Sequence, residues 1–293
     1  MKTSDFVRML ALSAIWGASF LFMRIAAPVL GTLPTAFFRT LLGAGSLVVI
    51  LLALRTVWRW DAQTRGAMAV GVINSAIPFS MYAFAAKQLP ASYSAILNAT
   101  TPLMGAIVGA LFFSEAFTLR KFVGVMLGMF GVAVLTQAGP VPVTHAVLMG
   151  AGACLIATFC YGLGGFFTRR WTSGLDATQV ALFSQVGASI ALAPLFALNP
   201  PAQLGGPNVW LAMAALGIVC TGIAYILYFR LIADIGPVKS LTVTFLIPLF
   251  GVLWGALFLN ETLSWAHAAG GLLIAAALWL VLRTPAARKA AAA

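Results

Sequence analysis

The stretch Pro102 to Glu115, PLMGAIVGALFFSE, recurs as Pro248 to Glu261, PLFGVLWGALFLNE, with 146 added to every residue number. Eight of the 14 positions are identical: Pro, Leu, Gly, Gly, Ala, Leu, Phe and Glu. Each copy carries its Pro inside an apolar run. A Pro within a helix costs about 3 kcal/mol in water, whereas neighbouring helices in a membrane satisfy the carbonyls it frees. Pro102 and Pro248 are therefore expected to break their helices and act as hinges, with an ammonium group as the alternative taker of the freed carbonyls. Each copy also places Gly at i and i+4, Gly105 with Gly109 and Gly251 with Gly255, a spacing for close helix packing. Broken hydrophobic segments at matching places in two halves point to a binding site where the halves meet.

Composition sets the class. Of 293 residues, 62% are hydrophobic and only 8% charged, against roughly 25% charged in soluble domains. The chain reads as an all-α integral membrane protein. Its net charge of +11 does not imply nucleic acid, because the basic residues stand singly or in pairs between apolar runs. Cys154, Cys160 and Cys220 lie in apolar runs without metal or redox spacing, so packing roles are expected.

Ten apolar windows have the length of a membrane span: Phe6 to Ala27, Pro34 to Leu54, Gly66 to Ala86, Ala91 to Phe113, Lys121 to Ala138, Ala146 to Phe167, Ala177 to Leu198, Val209 to Ile232, Val238 to Leu259 and Trp265 to Leu282. Short connections rich in Gly and Pro, such as Gly139 to Thr144 and Asn199 to Asn208, leave no room for an inserted soluble domain. The first window resembles a signal peptide in length but carries Arg24 and completes the repeat, so retention is expected. With the N-terminus cytoplasmic, that side collects Lys2, Arg8, Arg55, Arg59, Arg65, Arg120, Lys121, Arg169, Arg170, Arg230, Lys239, Arg283, Arg288 and Lys289, which is 14 of the 17 basic residues. Arg24, Arg39 and Lys87 fall opposite. By the positive-inside rule both termini are cytoplasmic.

Five spans per half is an odd number, so the second half enters the membrane inverted. The expected organisation is one membrane domain of ten transmembrane helices: a first repeat over 1–139, a second, inverted repeat over 146–285, and a basic tail over 286–293. Weaker matches support the register. Asn74, Ser75, Pro78 and Tyr82 fall on Cys220, Thr221, Ala224 and Tyr228 at a shift of 146, and Trp16, Gly17, Phe22 and Arg24 on Tyr161, Gly162, Phe167 and Arg169 at 145.

The Trp16-Gly17-Ala18-Ser19-Phe20 run, the Pro34 to Arg39 start of the second span, the Asn98 to Pro102 turn and the paired G-x-x-x-G-x-x-x-x-x-E ends resemble the drug/metabolite transporter superfamily. They are most similar to its ten-helix EamA group and, within it, to the YddG-type aromatic amino-acid exporters. The resemblance implies export of amino acids, often aromatic, and of metabolites or toxic cations, from the bacterial cytoplasm across the inner membrane through a cavity between the halves.

Helical spacing nominates the cavity wall. Asn74, Pro78 and Tyr82 share a face with Ser75 beside them; Ser94, Asn98, Thr101 and Gly105 share another; Thr221, Tyr225 and Tyr228 a third; and Thr244 is the counterpart of Asn98. Trp16, Tyr82 and Tyr161 sit deep enough to wall an apolar or aromatic side chain. Trp58, Trp60, Trp171, Trp210 and Trp279 read as interface anchors. Arg24 and Arg39 are expected to snorkel to the outer interface, with attraction of a carboxylate as the alternative. Glu115 and Glu261 are symmetry mates at helix C-termini, which disfavour a carboxylate, so pairing with a neighbour is expected, Arg120 or Lys121 in the case of Glu115.

No catalytic constellation is legible. The six acids, Asp5, Asp61, Glu115, Asp176, Asp234 and Glu261, all fall in loops or at helix ends, and His145 and His267 lack metal-ligand spacing. The expectation is no enzyme, no metal and no cofactor, with a small-molecule solute and membrane lipid as partners and monomer or homodimer left open. Acids confined to the periphery disfavour a proton relay and a counter-ion for cationic drugs. Passive, gradient-driven efflux of apolar or aromatic amino acids by alternating access is the leading reading. A multidrug or quaternary-cation exporter is the alternative, and a channel or helical scaffold the rival from another class.

Overall fold

The computed structural model describes residues 3–55, 60–201, 203–235 and 243–282. Trp58, the tail over 286–293 and the basic residues Lys2, Arg59, Lys239, Arg283, Arg288 and Lys289 lie outside the described residues. What is described is helical, without a strand. The helices are α1 (Thr3–Leu30), α2 (Thr32–Ala53), α3 (Ala62–Gly71), α4 (Ile77–Gln88), α5 (Ala91–Asn98), α6 (Thr101–Phe112), α7 (Leu119–Ala138), α8 (His145–Trp171), α9 (Ala177–Leu198), α10 (Pro207–Ala214), α11 (Ala224–Ile235), α12 (Val243–Leu259) and α13 (Trp265–Leu282). Two π-helical segments join α3 to α4 (Val72–Ala76) and α10 to α11 (Ala215–Ile223), so each forms part of one continuous, locally widened helix.

Helix starts follow local chemistry. Asp61 caps α3 by accepting from the Thr64 N–H at 2.9 Å, and Thr144 caps α8 through Val147 N–H at 3.2 Å, each satisfying an amide that lacks an intrahelical partner. Pro102 sits in the first turn of α6, where its missing N–H costs nothing, and α5 and α6 bend by 41° at Ala99-Thr100. Pro102 leaves the Asn98 carbonyl without its helical donor, and the Thr101 hydroxyl donates to that oxygen at 2.7 Å. At the second copy the outcome differs. Pro248 lies within α12, which runs on as one helix, so the break expected at both prolines appears at Pro102 alone among the described residues. Ile247, where the first copy has Thr101, brings no hydroxyl.

Among the described residues, six helices are long and apolar enough to cross a membrane: α1, α2, the α3–α4 unit, α8, α9 and the α10–α11 unit. The bent α5–α6 pair makes a seventh, and Leu246–Leu259 and Trp265–Ala277 are shorter apolar stretches. Helix occupies the described part of every one of the ten apolar windows. Leu111, Leu195, Leu211, Leu253 and Leu272 stand exposed on the outer surface, as an apolar solvent allows.

The packing pairs fall into matched sets. α1 lies on α12 as α8 lies on α5 and α6; α4 lies on α8 as α11 lies on α1; α3 lies on α9 as the second π segment lies on α2. α2 also packs against α9, and α7 against α13. Glycines set two of the closest approaches. A Cβ on Gly17 of α1 would stand 2.9 Å from the Gly251 nitrogen of α12, and one on Gly162 of α8 would stand 2.9 Å from the Gly105 nitrogen of α6. Gly105 and Gly251 thus serve helix crossings. Gly109 and Gly255 do something else: a Cβ there would meet the Oε2 of Glu115 at 2.8 Å and of Glu261 at 2.5 Å. Both make room for the glutamate six residues on, and Gly109 also stands against Phe166 of α8.

Candidate functional site

A partly open cavity of 280 Å³ lies where α1, α2, α4, α5, α6, α8, α11, α12 and both π segments converge. Ten of the fourteen residues nominated from sequence line it: Trp16, Asn74, Tyr82, Asn98, Thr101, Tyr161, Thr221, Tyr225, Tyr228 and Thr244. The π segments explain part of this convergence. A π turn holds one residue more than an α turn and re-aims the side chains around it; Asn74 comes from the first such segment, Cys220 and Thr221 from the second. Gly164 of α8 leaves the space that Asn74 fills, since a Cβ there would stand 2.7 Å from the Asn74 Oδ1.

The wall is aromatic with a few fixed polar groups. Trp16 and Tyr228 meet at a ring distance of 5.2 Å, Phe20 and Tyr82 edge to face at 5.4 Å, and Tyr82 and Tyr161 stack at 6.2 Å. The Tyr82 hydroxyl donates to Asn98 Oδ1 at 2.8 Å, tying α4 to α5 across the cavity rim. Thr101 is committed to the Asn98 carbonyl, so the ammonium-binding role for that carbonyl is already met by a protein hydroxyl.

Four nominated residues stand elsewhere: Gly105 at its crossing with Gly162, Ser94 buried with its hydroxyl 3.8 Å from Cys154 Sγ, and Ser75 and Pro78. Ser75 is fully buried outside the cavity, its hydroxyl accepting from Gln185 Nε2 of α9 at 2.9 Å; the extra residue of the π segment carries it off the Asn74 face. Pro78 follows that segment inside the continuous α3–α4 helix and is buried away from the cavity.

Seven lining residues went unnominated: Ser19, Phe20, Met23, Arg39, Phe79, Cys220 and Ile247. The α1 members were readable, because Trp16, Ser19, Phe20 and Met23 follow the i, i+3, i+4, i+7 spacing of one helix face. Cys220 carried a signal too, as the counterpart of Asn74 at the shift of 146. Arg39 overturns its expectation. Rather than reaching an outer interface it is 6% exposed inside the helix bundle. Its guanidinium carbon lies 3.7 Å above the Phe79 ring centroid, Nε donates to Thr221 Oγ1 at 3.4 Å, and Nη1 faces Met23 Sδ at 3.6 Å. α2 packs against both α9 and the second π segment, which places Arg39 in the interior of the bundle.

Arg24 lies at one end of the bundle and donates to the Ala86 carbonyl at 2.6 Å, lining a surface groove with Lys87 and Glu261. At that end the Glu261 carboxylate accepts from the Ala91 N–H at 2.5 Å and the Ser92 N–H at 3.0 Å, at the N-terminus of α5. Glu115 meets Lys121 Nζ at 3.7 Å, one of the two partners expected for it. Arg8 bridges Asp5 and Asp234, joining α1 to the end of α11. Trp60 and Trp279 are exposed, whereas Trp210 packs on Phe38 at 5.1 Å.

Comparison with known proteins places the chain. A family model described as "EamA-like transporter family" matches it twice, over residues 6–137 and 148–283. An uncharacterized transporter of Bacillus subtilis, YvbV, is 27% identical over 99% of this chain and 95% of its own length. A protein of Escherichia coli K12 named "Probable amino-acid metabolite efflux pump" is 24% identical over 96% of this chain and 95% of its own. A solved crystal structure with 20% identity superposes at a TM-score of 0.66, covering 96% of this chain and 99% of that one.

Proposed function

The chain belongs to the EamA-like transporter family, a multi-pass membrane transporter of the drug/metabolite superfamily, and on that premise we propose that it exports amino acids with apolar or aromatic side chains, and related small metabolites. The observation that carries this is the cavity: Trp16, Asn74, Tyr82, Asn98 and Thr101 come from one half of the chain, Tyr161, Thr221, Tyr225, Tyr228 and Thr244 from the other. A site shared in this way changes its exposure when the halves rock, which is alternating access.

The matched packing pairs, the two π segments and the glycine crossings at Gly17/Gly251 and Gly162/Gly105 support ten spans in two inverted repeats. The twofold family match supports the repeats over 1–139 and 146–285. Basic residues gathered on one side support a bacterial inner-membrane protein with cytoplasmic termini. The bend before Pro102 supports a hinge there.

The cavity volume lies just under the roughly 300–1,000 Å³ of drug-sized sites, which suits one amino acid better than a multi-ring drug. The lining holds no Asp, Glu or His among the described residues, so nothing in it relays a proton, and efflux follows the solute gradient. Arg39 in the wall disfavours the alternative of a quaternary-cation exporter.

The test is flux from liposomes containing only the purified protein and loaded with mixed amino acids. Saturable efflux of Phe, Trp or Met, unchanged by an imposed pH gradient, is expected. Absence of amino-acid flux with uptake of methyl viologen instead would overturn the reading; flux that never saturates would indicate a channel, and no flux of any solute a scaffold.

A further inference from the structure

We infer that the Arg39 guanidinium is the anchor for a carboxylate on the transported solute, so that a carboxylate beside an apolar or aromatic group defines the substrate class. This rests on reading the cavity as the transport site. An arginine carries five N–H donors and stays charged. Here they meet one hydroxyl at 3.4 Å and one thioether at 3.6 Å, with a ring beneath. No acidic side chain among the described residues pairs with Arg39. A charge buried among helices is costly unless paired, and a cation–π contact with two long bonds supplies only part of the compensation. The missing partner is an anion of matching fork geometry, a carboxylate, and the cavity is the open space beside it.

The fold itself does not require a cation at this place. At the crossing of α2 with the second π segment, a Cβ on Gly217 would stand 3.2 Å from the Arg39 carbonyl; at the matching crossing of α9 with α3, one on Gly71 would stand 1.9 Å from the Ser184 carbonyl. Ser184 fills the equivalent position without a charge. The guanidinium therefore serves something other than helix packing. A solute ammonium meets only neutral groups in the lining, the side-chain oxygens of residues such as Ser19 and Asn74 and the ring faces of Trp16 and Tyr161, so the charge pairing falls to the carboxylate.

The experiment measures binding of phenylalanine, 3-phenylpropionate and 2-phenylethylamine to the detergent-purified full chain by calorimetry, for wild type, Arg39→Lys and Arg39→Gln. Wild type is expected to bind both carboxylates and to bind 2-phenylethylamine about tenfold more weakly or worse. Arg39→Gln loses carboxylate binding by about tenfold or more, and Arg39→Lys recovers part of it. Equal binding of the amine and the carboxylates, no binding of either carboxylate, or undiminished carboxylate binding by Arg39→Gln overturns the inference. The wild-type comparison stands even if a variant fails to fold. The two readings fail separately: carboxylate binding without flux in liposomes leaves the anchor and refutes the transporter, whereas saturable flux that ignores the carboxylate leaves the transporter and refutes the anchor.

Discussion

Glu261→Gln separates two acids that the duplicated sequence makes look alike. The Glu261 carboxylate receives the first two N–H groups of α5, at 2.5 and 3.0 Å, where the amides are unsatisfied by the helix and its dipole favours a negative charge. Glutamine keeps one acceptor oxygen and loses the charge. One charge-assisted bond disappears and the other weakens to a neutral one, which at about 1.5–3 kcal/mol for bonds to charged groups and about 1 kcal/mol for neutral ones amounts to at least about 2 kcal/mol. Glu115 meets Lys121 at 3.7 Å with its side chain 49% exposed, a pairing worth about 0–1 kcal/mol. Hydrogen exchange read by mass spectrometry over residues 89–98 measures the difference directly. A loss of about 2 kcal/mol or more raises exchange at the N-terminus of α5 about 30-fold or more in Glu261→Gln, and Glu115→Gln leaves that segment unchanged. Exchange at the wild-type rate in Glu261→Gln, or an equal rise in both variants, refutes the reasoning.

Three other outcomes follow from the packing. Gly17→Ala and Gly162→Ala each force a helix crossing apart and should cost about 1–3 kcal/mol in thermal unfolding of the purified protein, with additive effects because the crossings are separate, while Gly45→Ala, with nothing within 4 Å of its Cβ, serves as the neutral control. Ser75→Ala removes the nearer acceptor of Gln185 Nε2, leaving Ser184 Oγ at 3.5 Å, and should lower stability by about 1 kcal/mol in thermal unfolding. Tyr82→Phe removes the bond to Asn98 Oδ1 and should raise the half-saturating solute concentration of efflux about fivefold, from about 1 kcal/mol, with expression unchanged.

The helical class and the places of the helices were legible because the apolar windows are long and their connections short, and because one segment is repeated with its Pro, Gly and Glu intact. What each repeated residue does was not. Gly109 and Gly255 looked like packing glycines, and only the fold of the turn shows them giving way to Glu115 and Glu261. Pro102 and Pro248 looked equivalent, but Thr101 supplies a hydroxyl at the first and Ile247 none at the second. Seven of the seventeen lining residues followed from one-face spacing along the α3–α4, α5–α6 and α10–α11 units. Ser75 and Pro78 were misplaced because π segments shift the face by a residue, and such a shift leaves no mark in periodicity. Arg39 was misread because snorkelling is judged from depth along a single helix, whereas its position is decided by α9 and the second π segment closing over α2.

The most direct measurement is solute protection of a thiol placed in the cavity wall. With Cys154, Cys160 and Cys220 replaced, Thr101→Cys in liposomes is treated with a small maleimide across a series of phenylalanine concentrations. The account predicts modification that phenylalanine suppresses saturably, at the same half-maximal concentration as efflux. Modification indifferent to phenylalanine while efflux continues would contradict it, because the solute would then cross the membrane without entering this cavity.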